Sequence, residues 1–379
     1  MKTKQDQHIT ILRIIRKFSF AFLLFLTACG SQDDPLPETD NKVQLSDTEI
    51  TLEVDGWKPL SNSRAIIFES ENDFLDDAST AKGGGIFTMY AYLKETGSTF
   101  IGGSRVWYFV PDNATVGSWR FYDEANNHFP QYYWPQSNSV DFFAYMPWKG
   151  SDRQKKITVD NYVQGTGLTI NCRMQEPTTL LDTDGQETII AYTTNKSKAD
   201  KKVNMCFVHP FSAVYFKLHQ AHRDLTINWI RFNDVYLTGS TTLNATTDNS
   251  TPISWTGTGS IDEFNIPVNQ TIPDQINFGG DIGGPYLVMP QNLGGATITI
   301  NYTWENANPS GKDDVVEGDE DSSDSNNVYQ IKRTINAEWI AGNKYTYVLD
   351  LGDNQAEILF KVLVEPWDVE GYKNIVDVE

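Results

Sequence analysis

From Ile50 to Val364 the chain is a succession of short runs in which apolar and polar residues alternate, punctuated by Gly, Asn, Asp and Pro, and no long segment carries the apolar repeat of an amphipathic helix. Alternation with a period of two puts every second side chain on one face of a strand, so each run can cover a core with one face and meet water with the other. In the first half the clearest runs are Ile50 to Val54, Phe87 to Leu93, Arg105 to Val110, Val140 to Tyr145, Thr188 to Tyr192 and Val203 to Val208. In the second they are Ala213 to Leu218, Leu225 to Leu237, Tyr286 to Met289, Ala296 to Trp304, Val328 to Ile335, Lys344 to Leu351 and Glu357 to Val364. The expected fold class is all-β, with sheets packed face to face.

The alternation breaks at His209-Pro210, between Phe207 and Phe211. Proline has no N–H to give a central ladder, so this is the expected seam between two sandwiches, 48–209 and 210–379. Between two late runs, Asp313 to Asp324 is too acidic to pack and is expected to be a loop. Its carboxylates raise the question of calcium, but the EF-hand spacing and its closing glutamate are missing.

The start of the chain reads differently. Lys2, Lys4, Arg13, Arg16 and Lys17 precede an almost wholly apolar run from Phe18 to Ala28, the layout of an export signal occupying 1–28. That run is about half of the ~20 residues a membrane-spanning helix needs, and Ser31, Gln32, Asp33 and Asp34 follow at once. Leu26, Thr27, Ala28 and Cys29 resemble the bacterial lipoprotein signal, in which the cysteine is acylated and becomes the new N-terminus. Several acyl chains on one residue would hold the protein firmly to a membrane. Residues 29–47, polar and carrying Pro35 and Pro37, then read as a lipidated tether. The acidic residues after Cys29 resemble the tag that sends some Gram-negative lipoproteins to the outer face of the outer membrane.

A formal charge of −20 excludes nucleic acid as a partner, because phosphates demand a basic surface. Cys172 and Cys206 are the only other cysteines, and their pairing in an oxidising compartment depends on a separation that sequence does not give. His219 and His222 have helical metal-ligand spacing but fall at a strand end and a turn with no third ligand nearby, so they read as solvent-facing residues. No nucleophile elbow, phosphate loop or zinc motif occurs, and carboxylate pairs such as Asp76-Asp77 are too common here to nominate a glycosidase dyad. The expectation is a non-enzymatic protein with no cofactor and no metal. Aromatic clusters at Trp107 to Phe109, Tyr132 to Trp134 and Phe142 to Trp148 fit core packing first and a sugar-stacking platform second.

Several stretches together resemble the fimbrillin family, the subunits of type V pili in anaerobic Gram-negative bacteria. They are Ser63 to Ala65, Phe87 to Leu93, Tyr132 to Pro135, Asp141 to Pro147, Phe207 to Phe216, Leu287 to Pro290, Trp339 to Tyr347 and Val364 to Trp367. The resemblance implies two transthyretin-like β-sandwich domains in tandem and a lipidated precursor carried to the cell surface. It also implies that an extracellular Arg-specific protease removes the first strand, and that a strand from another pilus subunit fills the groove by β-augmentation.

Set beside that expectation, Ile50, Leu52 and Val54 form the removable strand, and Arg64-Ala65, beyond an exposed link with Gly56 and Pro59, is the candidate cleavage bond. An uncut Arg64 in an ordinary link is the other reading. After Trp367 the chain offers only Ile375, Val376 and Val378 as a candidate donor tail, a meagre row that leaves stalk, tip, anchor and accessory roles open. The expected function is a structural or adhesive fimbrium subunit, whose partners are other subunits, a membrane reached through Cys29 and a host or bacterial surface ligand. The alternative is a monomeric outer-membrane lipoprotein that binds glycans through exposed aromatics, for which Trp134, Trp148 and Trp255 are the discriminating residues.

Overall fold

The structure is a computed structural model that describes residues 43–55, 86–112, 114, 117–123, 125–146, 157–174, 188–221, 225–244, 253–272, 280–304, 328–351, 358–366 and 374–377. Every regular element among them is a strand, as the alternation requires.

The first half holds β1 (Leu45–Glu49), β2 (Thr51–Asp55), β3 (Ile86–Leu93), β4 (Thr99–Phe109), β5 (Ser118–Tyr122), β6 (Tyr133–Pro135), β7 (Val140–Met146), β8 (Ile157–Val163), β9 (Gly167–Arg173), β10 (Ile189–Lys196) and β11 (Lys202–Val208). The second half begins with β12 (Ser212–Ala221), β13 (Leu225–Tyr236), β14 (Thr238–Leu243), β15 (Thr256–Gly257), β16 (Ile261–Ile272), β17 (Gly280–Val288) and β18 (Gln291–Asn292). It ends with β19 (Thr297–Trp304), β20 (Val328–Thr334), β21 (Glu338–Trp339), β22 (Asn343–Leu351), β23 (Ile358–Pro366) and β24 (Asn374–Asp377). Each run singled out in the sequence lies on a strand. The strands that the sequence did not flag, such as β5, β8, β9 and β14, are rich in Gly, Asn, Thr, Ser or charged residues, which mask the period-two signal.

In the first half the sheet β10-β11-β2-β5-β4-β3-β7 closes on itself through the β7–β10 ladder. Phe87, Met89, Ala91, Phe142, Ala144, Val203 and Met205 are fully buried, and the ladder registers put them on one face of their strands, the inner one. Phe87 touches the Phe207 and Trp119 rings there, each at 5.3 Å between centroids. The opposite face of β3, β7 and β10 is also covered. Tyr92, Phe143, Tyr145, Ile190 and Tyr192 pack with Ile157, Leu168 and Ile170 of a second sheet, β15-β14-β9-β8.

A buried carboxylate ties these layers together. Asp141 on β7, 3% exposed, accepts hydrogen bonds from the Tyr162 hydroxyl on β8 (2.7 Å) and the Asn195 N–H on β10 (2.7 Å). Tyr162 in turn stacks on Tyr92 at 4.6 Å. Burial first, and then the hydrogen bond and charge of Asp141 at Tyr162 and its charge at Tyr192, hold both phenols above the ordinary tyrosine value, so both remain neutral.

The second half is a sandwich of β17-β12-β22-β23-β24 on β16-β13-β19-β20. Its centre is aromatic. Phe232 meets Trp339 edge to face at 5.0 Å and Tyr347 at 5.4 Å, and the Trp339 Nε1–H donates to the Tyr347 hydroxyl at 3.1 Å. The break at 209–211 lies between β11 and β12, where the Pro210 carbonyl accepts the Trp255 indole N–H at 2.7 Å. The halves also share backbone hydrogen bonds, because β9 pairs antiparallel with β14 from Arg173↔Thr238 to Leu168↔Leu243. At the end of that ladder Gly167 has φ +116°, and a Cβ there would strike the Leu243 carbonyl oxygen, so only glycine fits.

No disulfide joins Cys172, buried on β9, to Cys206, half-buried on β11. His219 lies towards the end of β12, while His222 and Asp313 to Asp324 lie outside the described residues.

Two outcomes follow from this packing. Asp141→Ala removes a buried carboxylate acceptor from the part-buried hydrogen bonds of the Tyr162 hydroxyl and the Asn195 N–H and should lower unfolding free energy by about 3 kcal/mol, read as a reduced denaturant midpoint; Asp141→Asn, which keeps one acceptor oxygen, should lose roughly half as much. Burial pushes the Cys172 thiol up to about 12. At about pH 8 it is therefore protonated and inert, and alkylation of the folded protein should mark Cys206 well ahead of Cys172, a difference that disappears in denaturant.

Candidate functional site: the seam around β2

Residues 45–55 run as one extended segment that changes partners at Ile50. Before it, β1 pairs with β6 through Leu45↔Pro135 and Glu49↔Tyr133. At the change-over the Ile50 N–H donates to the Tyr132 carbonyl at 2.7 Å, and the Ile50 side chain is 3% exposed. After it, β2 enters the closed sheet between β11 and β5.

The two edges of β2 are held unequally. Against β11 it runs parallel, paired at every residue from Thr51↔Lys202 to Asp55↔Cys206. Thr51 Oγ1 donates to the Lys201 carbonyl at 3.1 Å, and Lys202 Nζ reaches Glu53 Oε1 at 3.0 Å. That ion pair is exposed and adds little. Against β5 the ladder holds a single pair, Leu52↔Trp119. Beside this thin edge lies a groove of about 340 Å³ lined by Ile50, Leu52, Trp119, Phe121, Phe129 and Gln131, among others.

The side chains of β2 follow the alternation. Leu52 and Val54 pair with Val203 and Met205, both fully buried, so they share the inward face, half-buried themselves. Glu53 faces the other way, towards Lys202 and water. Without β2, the β11 and β5 edges would face each other across an unfilled slot in an otherwise closed sheet.

The structure places the other sequence-derived residues as follows. Ile375 and Val376 lie on β24, which pairs antiparallel with β23 of the same chain through Leu363↔Ile375 and Val362↔Val376. Cys29, Arg64, Ala65 and Val378 lie outside the described residues. Trp134 is fully buried and Trp255 7% exposed, each inside a core, and Trp148 lies outside the described residues. The two described indoles therefore have no face to offer a sugar. Among the described residues no three metal-ligating side chains converge. What sequence reasoning missed is the groove at the β2–β5 edge, because its walls come from residues about 70 positions apart in the chain.

Comparison with known proteins bears on this architecture. A fimbrial protein from Bacteroides vulgatus is 14% identical, with a TM-score of 0.50 over 85% of this chain and 100% of that one. A protein from Bacteroides uniformis, proposed to act in cell adhesion, is 16% identical, with a TM-score of 0.44 over 87% of this chain and 99% of that one. The first of these likenesses speaks for a shared fold. No curated protein matches the chain significantly. Residues 87–367 match the sequence model described as fimbrillin-like, and on a match of that extent the chain belongs to the fimbrillin-like family.

Proposed function

We propose that this chain is a structural subunit of a cell-surface fimbrium, exported as a lipoprotein acylated at Cys29 and assembled by strand exchange after its first strand is cut away behind Arg64. Two sandwiches, 48–209 and 210–379, would form the body of the subunit, and the tether 29–47 would hold the precursor at the outer membrane until an Arg-specific protease acts.

The observation that carries this reading is the position of β2. It is an N-terminal strand set into a closed sheet, zipped along one edge and joined at one residue along the other. Removing it leaves two rows of unpaired N–H and C=O groups on β11 and β5 and uncovers Val203, Met205 and Trp119. An open edge of that kind is unstable in water and pairs readily with another strand. Main-chain hydrogen bonds give such a replacement strand its affinity, and every second side chain gives it register. The candidate donor tail is the short row Ile375, Val376 and Val378. A donor role would require β24 to leave the edge of β23.

Two measurements test this. Treatment of the purified precursor with an Arg-specific protease should give a single new N-terminus at Ala65 with the β-rich circular dichroism intact; cleavage elsewhere, or collapse of the spectrum, would count against the assignment. Electron microscopy of cells making the protein should show filaments that disappear with Arg64→Ala. Filaments that persist unchanged in that variant would rule out processing at this bond.

A further inference from the structure

The outer face of the β4–β5 hairpin carries a surface that the fimbrial reading does not use. Val106 and Phe121 point into the closed sheet and are buried. Their neighbours Arg105, Trp107 and Phe109 on β4, and Arg120 and Tyr122 on β5, therefore share the opposite face. Phe129 folds back over them, 4.9 Å from Phe109 and 5.4 Å from Tyr122 between ring centroids.

The guanidinium groups lie on the rings. Arg105 sits 5.7 Å over Trp107 and 5.4 Å over Tyr122, and Arg120 sits 5.0 Å over Phe109 and 5.8 Å over Phe129. Arg120 Nε donates to Ser118 Oγ at 3.0 Å, which fixes the fork. Arg120 is exposed, and among the described residues no carboxylate pairs with it, although the chain carries 50 Asp and Glu against 30 Lys and Arg. In so acidic a protein a fixed, unopposed guanidinium is a preorganised anion contact.

The groove described above opens beside this face and shares Ser118, Arg120 and Phe129 with it, and its volume of about 340 Å³ lies in the range of small-ligand sites. The half-buried rings offer apolar faces. Asn127, whose Oδ1 already takes the Tyr122 hydroxyl at 2.9 Å, offers its amide at the margin, while Gln131 donates to Glu49 at 3.3 Å on the far wall of the groove and accepts from the Tyr133 hydroxyl at 3.0 Å. On the outer face itself a peptide strand finds only side chains, the unpaired backbone of β5 lying at its edge towards β2, where the ladder holds one pair. A polyhydroxylated ring needs no free backbone.

We propose that this face is a subsite for a carboxylated sugar, a uronic or sialic acid residue, with its carboxylate on Arg120 and its ring beside Phe129, on the side of the groove. Arg120, Phe109 and Phe129 come after Ala65 and stay with the subunit when the first strand is lost, whereas the far wall of the groove, Ile50 and Leu52, leaves with that strand.

The test uses the full-length chain in detergent, with methyl β-glucuronide, N-acetylneuraminic acid, methyl β-glucoside and acetate as probes, and affinities measured by NMR titration. The glucuronide should bind at least about tenfold tighter than the glucoside, the scale of one charge-assisted contact. Arg120→Gln, on an exposed side chain that leaves the melting temperature unchanged, should abolish that preference, and Arg120→Lys should recover only part of it because the stacked fork is lost. The proposal is overturned if the unmodified chain binds neither acidic sugar at about 10 mM, if glucoside or acetate binds as tightly as glucuronide, or if Arg120→Gln keeps the preference.

Discussion

A strand whose residues are all buried must have a packed layer on each side, and Val140–Met146 has both. One face of β7 closes the first barrel-like sheet around Phe87, Met89 and Phe142; the other, with Phe143 and Tyr145, is the floor on which β8 and β9 lie. Asp141 sits in this doubly covered strand and is tolerable there only because two donors reach it. Since β9 also pairs with β14, the same floor supports the link to the second sandwich. Packing around β7 thus couples the two halves by hydrogen bonds as well as by the short connection at Pro210.

The closed sheet makes β2 intelligible. Closure removes edges and with them the hazard of indiscriminate strand pairing, but it also means that withdrawal of one strand creates two edges at once. Under the proposed strand exchange, a strand locked on both sides would be hard to extract, and one held on neither would leave the sheet open. With a full parallel ladder on β11 and one pair on β5, β2 lies between these extremes. The apolar row of Leu52 and Val54 supplies much of its hold, and the groove at the β5 edge marks where packing is thinnest.

The hairpin that bears Arg105 and Arg120 shows a different use of the same alternation. Its inner residues serve the core, while its outer face gathers rings and cations in the place where a solvated strand would carry scattered polar residues. Guanidinium groups laid on aromatic faces lose little freedom when an anion arrives.

The sequence by itself determined that the chain is all-β, where most of its core strands lie, and that Ile50, Leu52 and Val54 make an apolar row. Those are properties of neighbours along the chain, and period-two patterning records them directly. It likewise showed the break at His209-Pro210, since proline announces its own missing donor. Tertiary structure alone decided that β2 runs parallel to β11, a partner about 150 residues away, and that its other edge is nearly free. It decided too that Trp134 and Trp255 are core residues while Trp107 lies on a half-open face. Alternation says which residues share a face of one strand. Which strand lies beside it, and whether that face meets a core or water, is set by long-range pairing that no local pattern contains.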